Sequence, residues 1–122
     1  MSEASFSIRF RHWLKANPLD YSCTFEMKDT LGKKSLPFKD IKESQLNWAE
    51  AIESKNGTLM RQVGGSGEPD YTYHYNQPAF LVINFPDAFH VIRMKDFVKY
   101  KDSAKKKSLT SEEARLIAFT SV

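Results

Sequence analysis

The first apolar residues of the chain recur at the spacing of an α-helix. Phe6, Phe10 and Trp13 lie three or four residues apart and therefore share one face of a helix. Pro18 ends this pattern, because the residue before a proline is pushed out of helical geometry. The spacing predicts a first helix from Glu3 to Ala16.

A second helical stripe follows in the middle of the chain. Ile41, Trp48 and Ile52 recur at helical spacing, which predicts a helix from about residue 39 or 40 to residue 55. Asn56-Gly57 is a strong signal for its C-terminal end. Thr110-Ser111-Glu112-Glu113 is a capping box and predicts the start of a last helix.

Between these helices, alternation predicts strands. Residues 21–28 alternate strictly, so that Phe25 and Met27 point one way while Glu26 and Lys28 point the other. Residues 79–85 are almost continuously apolar, as in a strand buried on both faces. The whole pattern predicts a single α/β domain over residues 1–122, with a central mixed β-sheet flanked by helices and with the Glu26 strand near its centre. Further predictions are strands at 58–63, 71–75 (an edge strand) and 89–94, and a short helix at 95–100.

Composition and charge narrow the class of protein. The 122 residues carry 18 basic and 15 acidic side chains, a net charge of +3, which hints mildly at nucleic acid. The single cysteine, Cys23, excludes an internal disulfide and a thiolate metal cluster. No apolar run is long enough for a membrane span, and the N-terminus lacks a signal-peptide pattern. We therefore expect a soluble, cytoplasmic protein without membrane association.

The most informative fragment is Phe25-Glu26-Met27-Lys28. Because a strand has a period of two, Glu26 and Lys28 project from one face. A carboxylate there is a suitable ligand for Mg²⁺ or Mn²⁺, and the neighbouring ammonium can orient water or stabilise charge on a phosphate. The same pattern also arises as an exposed ion pair, which is the simpler interpretation of the two residues alone.

The surrounding sequence resembles the RecU-type Holliday junction resolvases of the PD-(D/E)XK nuclease superfamily. The resemblance rests on Glu26-x-Lys28 followed by Asp29-Thr30, on the segments 35–41 and 44–46, and on the later strands 79–85 and 89–92. It implies a restriction-endonuclease-like fold, a Mg²⁺-dependent or Mn²⁺-dependent endonuclease, paired nicks in four-way DNA junctions, and a homodimer. It also implies that Gln45 joins Glu26 and Lys28 at the catalytic site, whereas Gln45 is otherwise a polar residue at the edge of the core.

The sequence departs from this superfamily in one respect. Members place an aspartate on a strand about a dozen residues before Glu-x-Lys, and in this chain that position falls inside the first predicted helix. Asp20 is the nearest replacement as a metal ligand, and it is equally explained as a turn residue after Pro18. Glu3 is the second candidate ligand, since the first helix of the superfamily often supplies a glutamate; it also suits the positive end of a helix dipole.

Basic residues supply the candidate contacts to DNA phosphates, although each is also typical of ordinary surface. Two alternatives to the resolvase remain open: a catalytically inactive DNA-binding module of the same fold, and another repair or defence endonuclease of the superfamily. The candidate DNA-binding residues are Arg9, Arg11, Lys15, Lys33, Lys34, Lys105, Lys106 and Lys107.

Overall fold

A computed structural model describes residues 3–16, 23–54, 58–63, 69–74 and 77–122. These residues form an α/β domain in which a mixed, four-stranded sheet is flanked by helices. The helices are α1 (Glu3–Ala16), α2 (Glu43–Glu53), α3 (Met94–Ser103) and α4 (Ser111–Ile117), with a 3₁₀ turn at Phe38–Asp40. The strands are β1 (Thr24–Asp29), β2 (Ser35–Pro37), β3 (Thr58–Val63), β4 (Pro69–His74), β5 (Ala79–Asn84), β6 (Phe89–Arg93), β7 (Ser108–Thr110) and β8 (Thr120–Ser121).

The central sheet has the strand order β1-β5-β6-β8. β1 runs parallel to β5, with Glu26 opposite Leu81, whereas β5 and β6 form an antiparallel pair. The prediction that the Glu26 strand is central is therefore wrong: among the described strands, β1 is at the edge. The reason is that β3 and β4 pair with each other along their whole length and form a separate two-stranded sheet.

Successive side chains of β5 point to opposite faces of the sheet and pack against different helices. Phe80 and Val82 face α1, where they join Phe6 and Phe10 in one apolar cluster. Leu81 and Ile83 face the other side, where α2, α3 and α4 contribute the larger cluster. The continuous apolar run of this strand is thus explained, since both of its faces are buried.

Several element boundaries differ from the sequence predictions. β1 ends at Asp29, which was expected in the following loop, and α3 extends to Ser103. Helix α2 begins at Glu43, several residues later than predicted, because Phe38–Asp40 forms a separate 3₁₀ turn and Ile41 is extended (φ −94°, ψ 107°). The first helix and the capping box formed by Thr110 and Glu113 are confirmed. No helix in the described part of the chain is both long and apolar enough to cross a membrane.

His90 is fully buried and connects three elements. Its Nδ1 lies 2.7 Å from the hydroxyl of Ser121 in β8, and its Nε2 lies 2.8 Å from the hydroxyl of Ser111 at the start of α4. Ser111 in turn donates a hydrogen bond of 2.6 Å to Asp87. Burial, assisted by the positive charge of Arg115 and opposed by Asp87, lowers the pKa of His90 below its usual value.

We expect the stability of the fold to fall when the pH drops below about 6.5, the pKa of an unperturbed histidine. The lowered pKa of folded His90 means that the unfolded chain binds the proton more readily, so stability is lost as the pH falls towards the folded pKa. Guanidinium unfolding measured between about pH 7.5 and 5.5 tests this, since ordinary carboxylates stay ionised there. His90→Asn is the control: an unchanged pH dependence in that variant would assign the effect to another group.

Candidate active site

Glu26 and Lys28 project from β1 towards the layer that contains α2. The intervening side chains, Phe25 and Met27, pack against the α1 cluster on the opposite face, as the strand period requires. Both Glu26 and Lys28 are partly exposed, so they are accessible from solvent. The predicted common face of Glu26 and Lys28 is therefore the face that α2 approaches.

Gln45 is the residue of α2 that contacts Glu26. Its Nε2 donates a hydrogen bond of 2.7 Å to Glu26 Oε1, across 19 positions of sequence. Its Oε1 accepts the backbone N–H of Lys42 at 2.9 Å, which caps the start of the helix. Because both ends of the amide are occupied, the cap fixes which end of Gln45 faces the carboxylate.

The described part of the site offers one carboxylate to a metal ion. No group of three or more His, Cys, Asp or Glu side chains suited to a metal is present among the described residues. Asp20 lies outside those residues, and so does the side chain of Glu3, although Glu3 is the first residue of α1. Glu26 fits a Mg²⁺ ion by its chemistry as a partly exposed oxygen ligand, and it needs further oxygen ligands to complete the coordination.

Asp29, Asn84 and Arg9 form a polar cluster where β1 and β5 end, and the sequence alone did not predict this cluster. Asp29 Oδ1 accepts the N–H of Leu31 at 2.9 Å and lies 3.4 Å from Asn84 Nδ2, while Arg9 donates to Asn84 Oδ1 at 2.9 Å. Asp29 Oδ2 is buried and has no hydrogen-bond partner among the described residues. These side chains line a cleft of about 150 Å³. The pairing of two parallel strands brings Asp29 to Asn84, 55 positions away in sequence, and the packing of α1 on the sheet adds Arg9.

The candidate DNA-binding residues lie in three different places. Arg9 and the exposed pair Lys33 and Lys34 lie near the end of β1 that follows Lys28. Arg11 and Lys15 are exposed on α1, behind the sheet as seen from Glu26. The third place is the exposed turn between α3 and β7, which carries Lys105, Lys106 and Lys107.

Lys106 also takes part in the fold. It forms an ion pair with Glu113, which accepts hydrogen bonds from Tyr100 and Thr110 as well. Burial alone would raise the pKa of Glu113, but these hydrogen bonds outweigh it and lower the pKa to about 2. Lys106 is thus engaged within the chain, whereas Arg9, Lys33 and Lys34 lie near the end of β1 that follows Lys28.

A cleft larger than the one beside Asp29 does not contain Glu26 or Lys28. It has a volume of about 460 Å³, lies between α2 and α3, and is lined by Leu46 and Val98 with Glu50 and Lys101 at its edges. Glu26 and Lys28 lie instead on the edge strand β1, where both are partly exposed. A partly exposed sheet edge suits a substrate as large as a nucleic acid better than it suits a small molecule, which binds in enclosed pockets.

The sequence matches no protein-family model, and no curated protein is significantly similar to it.

Proposed function

We propose that this chain is a metal-dependent, structure-selective DNA endonuclease with the PD-(D/E)XK nuclease fold, and that it resolves four-way junctions as a homodimer. The observation that carries the proposal is the 2.7 Å hydrogen bond by which Gln45 holds Glu26, two residues before Lys28 on the same strand face. A carboxylate fixed by an amide beside an ammonium group is suited to the cleavage of a phosphodiester. The resemblance of residues 25–46 to the resolvase pattern supports the same assignment.

Each residue has a definite part in this chemistry. Glu26 would hold the metal ion, with Asp20 or Glu3 as the candidates for a second carboxylate ligand. The bound ion would supply a water of lowered pKa and a positive charge near the phosphate. Lys28 would orient the attacking water or stabilise the negative charge that develops on the phosphate, and Gln45 would keep the Glu26 carboxylate in place.

The surroundings of the site suit DNA. Arg9, Lys33 and Lys34 lie near the end of β1 that follows Lys28, where they can contact phosphates on either side of the one to be cut. Such contacts fix the position of the DNA and carry little sequence information, in keeping with recognition by junction shape. Two symmetric cuts require two sites, which a two-fold homodimer provides.

A cleavage assay on a synthetic four-way junction tests the proposal. With Mg²⁺ or Mn²⁺ we expect paired nicks near the branch point, little cutting of a linear duplex with the same arms, and no cutting in EDTA. Light scattering should give a dimer in the complex. Binding of the junction without cleavage in either metal would favour the inactive DNA-binding module, and cleavage of all duplexes alike would favour a different nuclease of the superfamily.

Gln45→Ala is expected to reduce cleavage by roughly tenfold to a hundredfold and to raise the Mg²⁺ concentration needed for half-maximal activity, because Glu26 loses the group that orients it. The variant also loses the cap at Lys42, which costs about 1 kcal/mol of stability. Asn47→Ala, an exposed polar change on the same helix, is the matched control. An unchanged metal requirement in Gln45→Ala would show that Gln45 does not position the metal ligand.

A further inference from the structure

The turn that follows β1 places an unsuitable residue in a left-handed conformation. Leu31 has φ +55° and Gly32 has φ +84°, and the N–H of Lys33 donates to the carbonyl of Thr30 at 3.1 Å. Positive φ at both central residues is the pattern of a type I′ turn. Glycine adopts such angles freely and asparagine does so at little cost, whereas leucine is strained there.

Hydrogen bonds within the fold fix this turn, but the side chain of Leu31 is not packed against the rest of the chain. Thr30 is 4% exposed, and both its N–H and its hydroxyl donate to the carbonyl of Asn84, at 3.0 and 2.9 Å. The N–H of Leu31 donates to Asp29 at 2.9 Å. The side chain of Leu31, by contrast, is 71% exposed, so burial within the chain does not offset the strain. Backbone strain that is not offset by burial of the side chain is typical of functional positions.

The charge around Leu31 favours DNA as its partner. Lys33 and Lys34, which follow in the same loop, are both exposed, and Arg9 lines the same cleft as Gly32. Leu31 comes three residues after Lys28, about 10 Å further along the chain at the rise of an extended strand. The apolar side chain of Leu31 beside cationic side chains is complementary to DNA, in which stacked bases lie between two rows of phosphates.

We propose that Leu31 is a wedge that enters the base stack of DNA next to the branch point, while Lys33 and Lys34 contact the adjoining phosphates. This inference rests on the proposed function and extends it, because it assigns the contact that selects junctions over linear duplex. Leucine is among the residues that DNA-binding proteins insert between base steps. Insertion costs least where stacking is already weakened, as it is at a branch point, so the wedge would favour that structure.

Leu31→Asn tests the wedge in a variant that keeps the turn. Asparagine suits the left-handed conformation, so the melting temperature should rise, by about 3 °C. The probe is a four-way junction with 2-aminopurine at the branch point, titrated in EDTA so that it is not cut. We expect the wild type to increase the fluorescence as the base unstacks, and Leu31→Asn to give no increase and about tenfold weaker binding, the loss for one leucine left unburied. Leu116→Gln removes another highly exposed leucine, in the last turn of α4, and should behave as wild type.

The outcomes separate the wedge from the proposed function. Equal fluorescence and affinity in Leu31→Asn, with junctions still bound and cut, would overturn the wedge alone. Loss of the dimer in light scattering, with DNA contacts unchanged, would make Leu31 a protein contact and overturn it as well. If the wild type binds no junction DNA, the proposed function and the wedge fail together.

Discussion

Glu26→Gln is expected to reduce junction cleavage by about a thousandfold or more, because the loss of the negative charge weakens metal binding and with it the activation of water. The exchange keeps the size of the side chain, and its carbonyl oxygen can still accept the hydrogen bond from Gln45. The fold should therefore be unchanged. Junction affinity should stay close to that of the wild type, since it comes mainly from Lys and Arg contacts to phosphates.

Single-turnover cleavage and gel-shift binding measured on the same junction check both halves of this expectation. Glu43→Gln, the same chemical change at an exposed position of α2, is the matched control and should cut normally. Lys28→Ala should lose activity as well, but with weaker DNA binding, because it removes a positive charge. Asp20→Asn and Glu3→Gln then show which carboxylate completes the site. Cleavage by Glu26→Gln at the wild-type rate would end the active-site assignment.

The largest effect on stability is expected from Phe97→Ala, with a loss of about 4 kcal/mol in the free energy of unfolding. Phe97 of α3 is fully buried, and its ring lies 5.9 Å from that of Phe38 in an edge-to-face arrangement. Truncation removes apolar burial and leaves a cavity between α3 and the sheet. For a domain of ordinary stability, such a loss is a large share of the total.

Chemical denaturation at neutral pH measures this loss directly. Leu116→Ala is the control, since that side chain is 86% exposed and its removal should change stability by less than about 0.5 kcal/mol. Phe97→Leu should fall between the two. A loss below about 1 kcal/mol in Phe97→Ala would contradict the close packing of α3 on the sheet.

The elements that the sequence predicted well are those with a long and regular pattern. The first helix repeats its apolar residues at helical spacing over 14 residues, and β5 is a continuous apolar run, so local sequence determines both. β7 and β8 were missed because they are only three and two residues long and exist through pairing with distant partners, β2 and β6. The edge position of β1 was missed for a related reason: alternation predicts a strand but not its neighbours.

In the candidate active site, too, local sequence predicted some features, and others depend on tertiary structure. Alternation alone places Glu26 and Lys28 on one face, and this local inference needs no tertiary structure. Proximity of Gln45 to Glu26 was implied by the resemblance only, because it depends on how α2 crosses the sheet. The contact of Arg9 and Asp29 with Asn84 was not predicted, since it depends on the register between β1 and β5 and on how α1 packs against the sheet.

The β3–β4 pair is a segment of this domain in which sequence can be inserted or exchanged. The β3–β4 pair follows α2 and precedes β5, and the N–H of Gln77 donates to the carbonyl of Ile52 at 3.1 Å. The two ends of this segment are therefore neighbours in space. A segment with adjacent ends can be shortened, exchanged or extended at little entropic cost to the rest of the molecule. The β3–β4 segment is thus the natural place to graft a foreign peptide or an affinity tag without disturbing the β1–β5 register that carries Glu26.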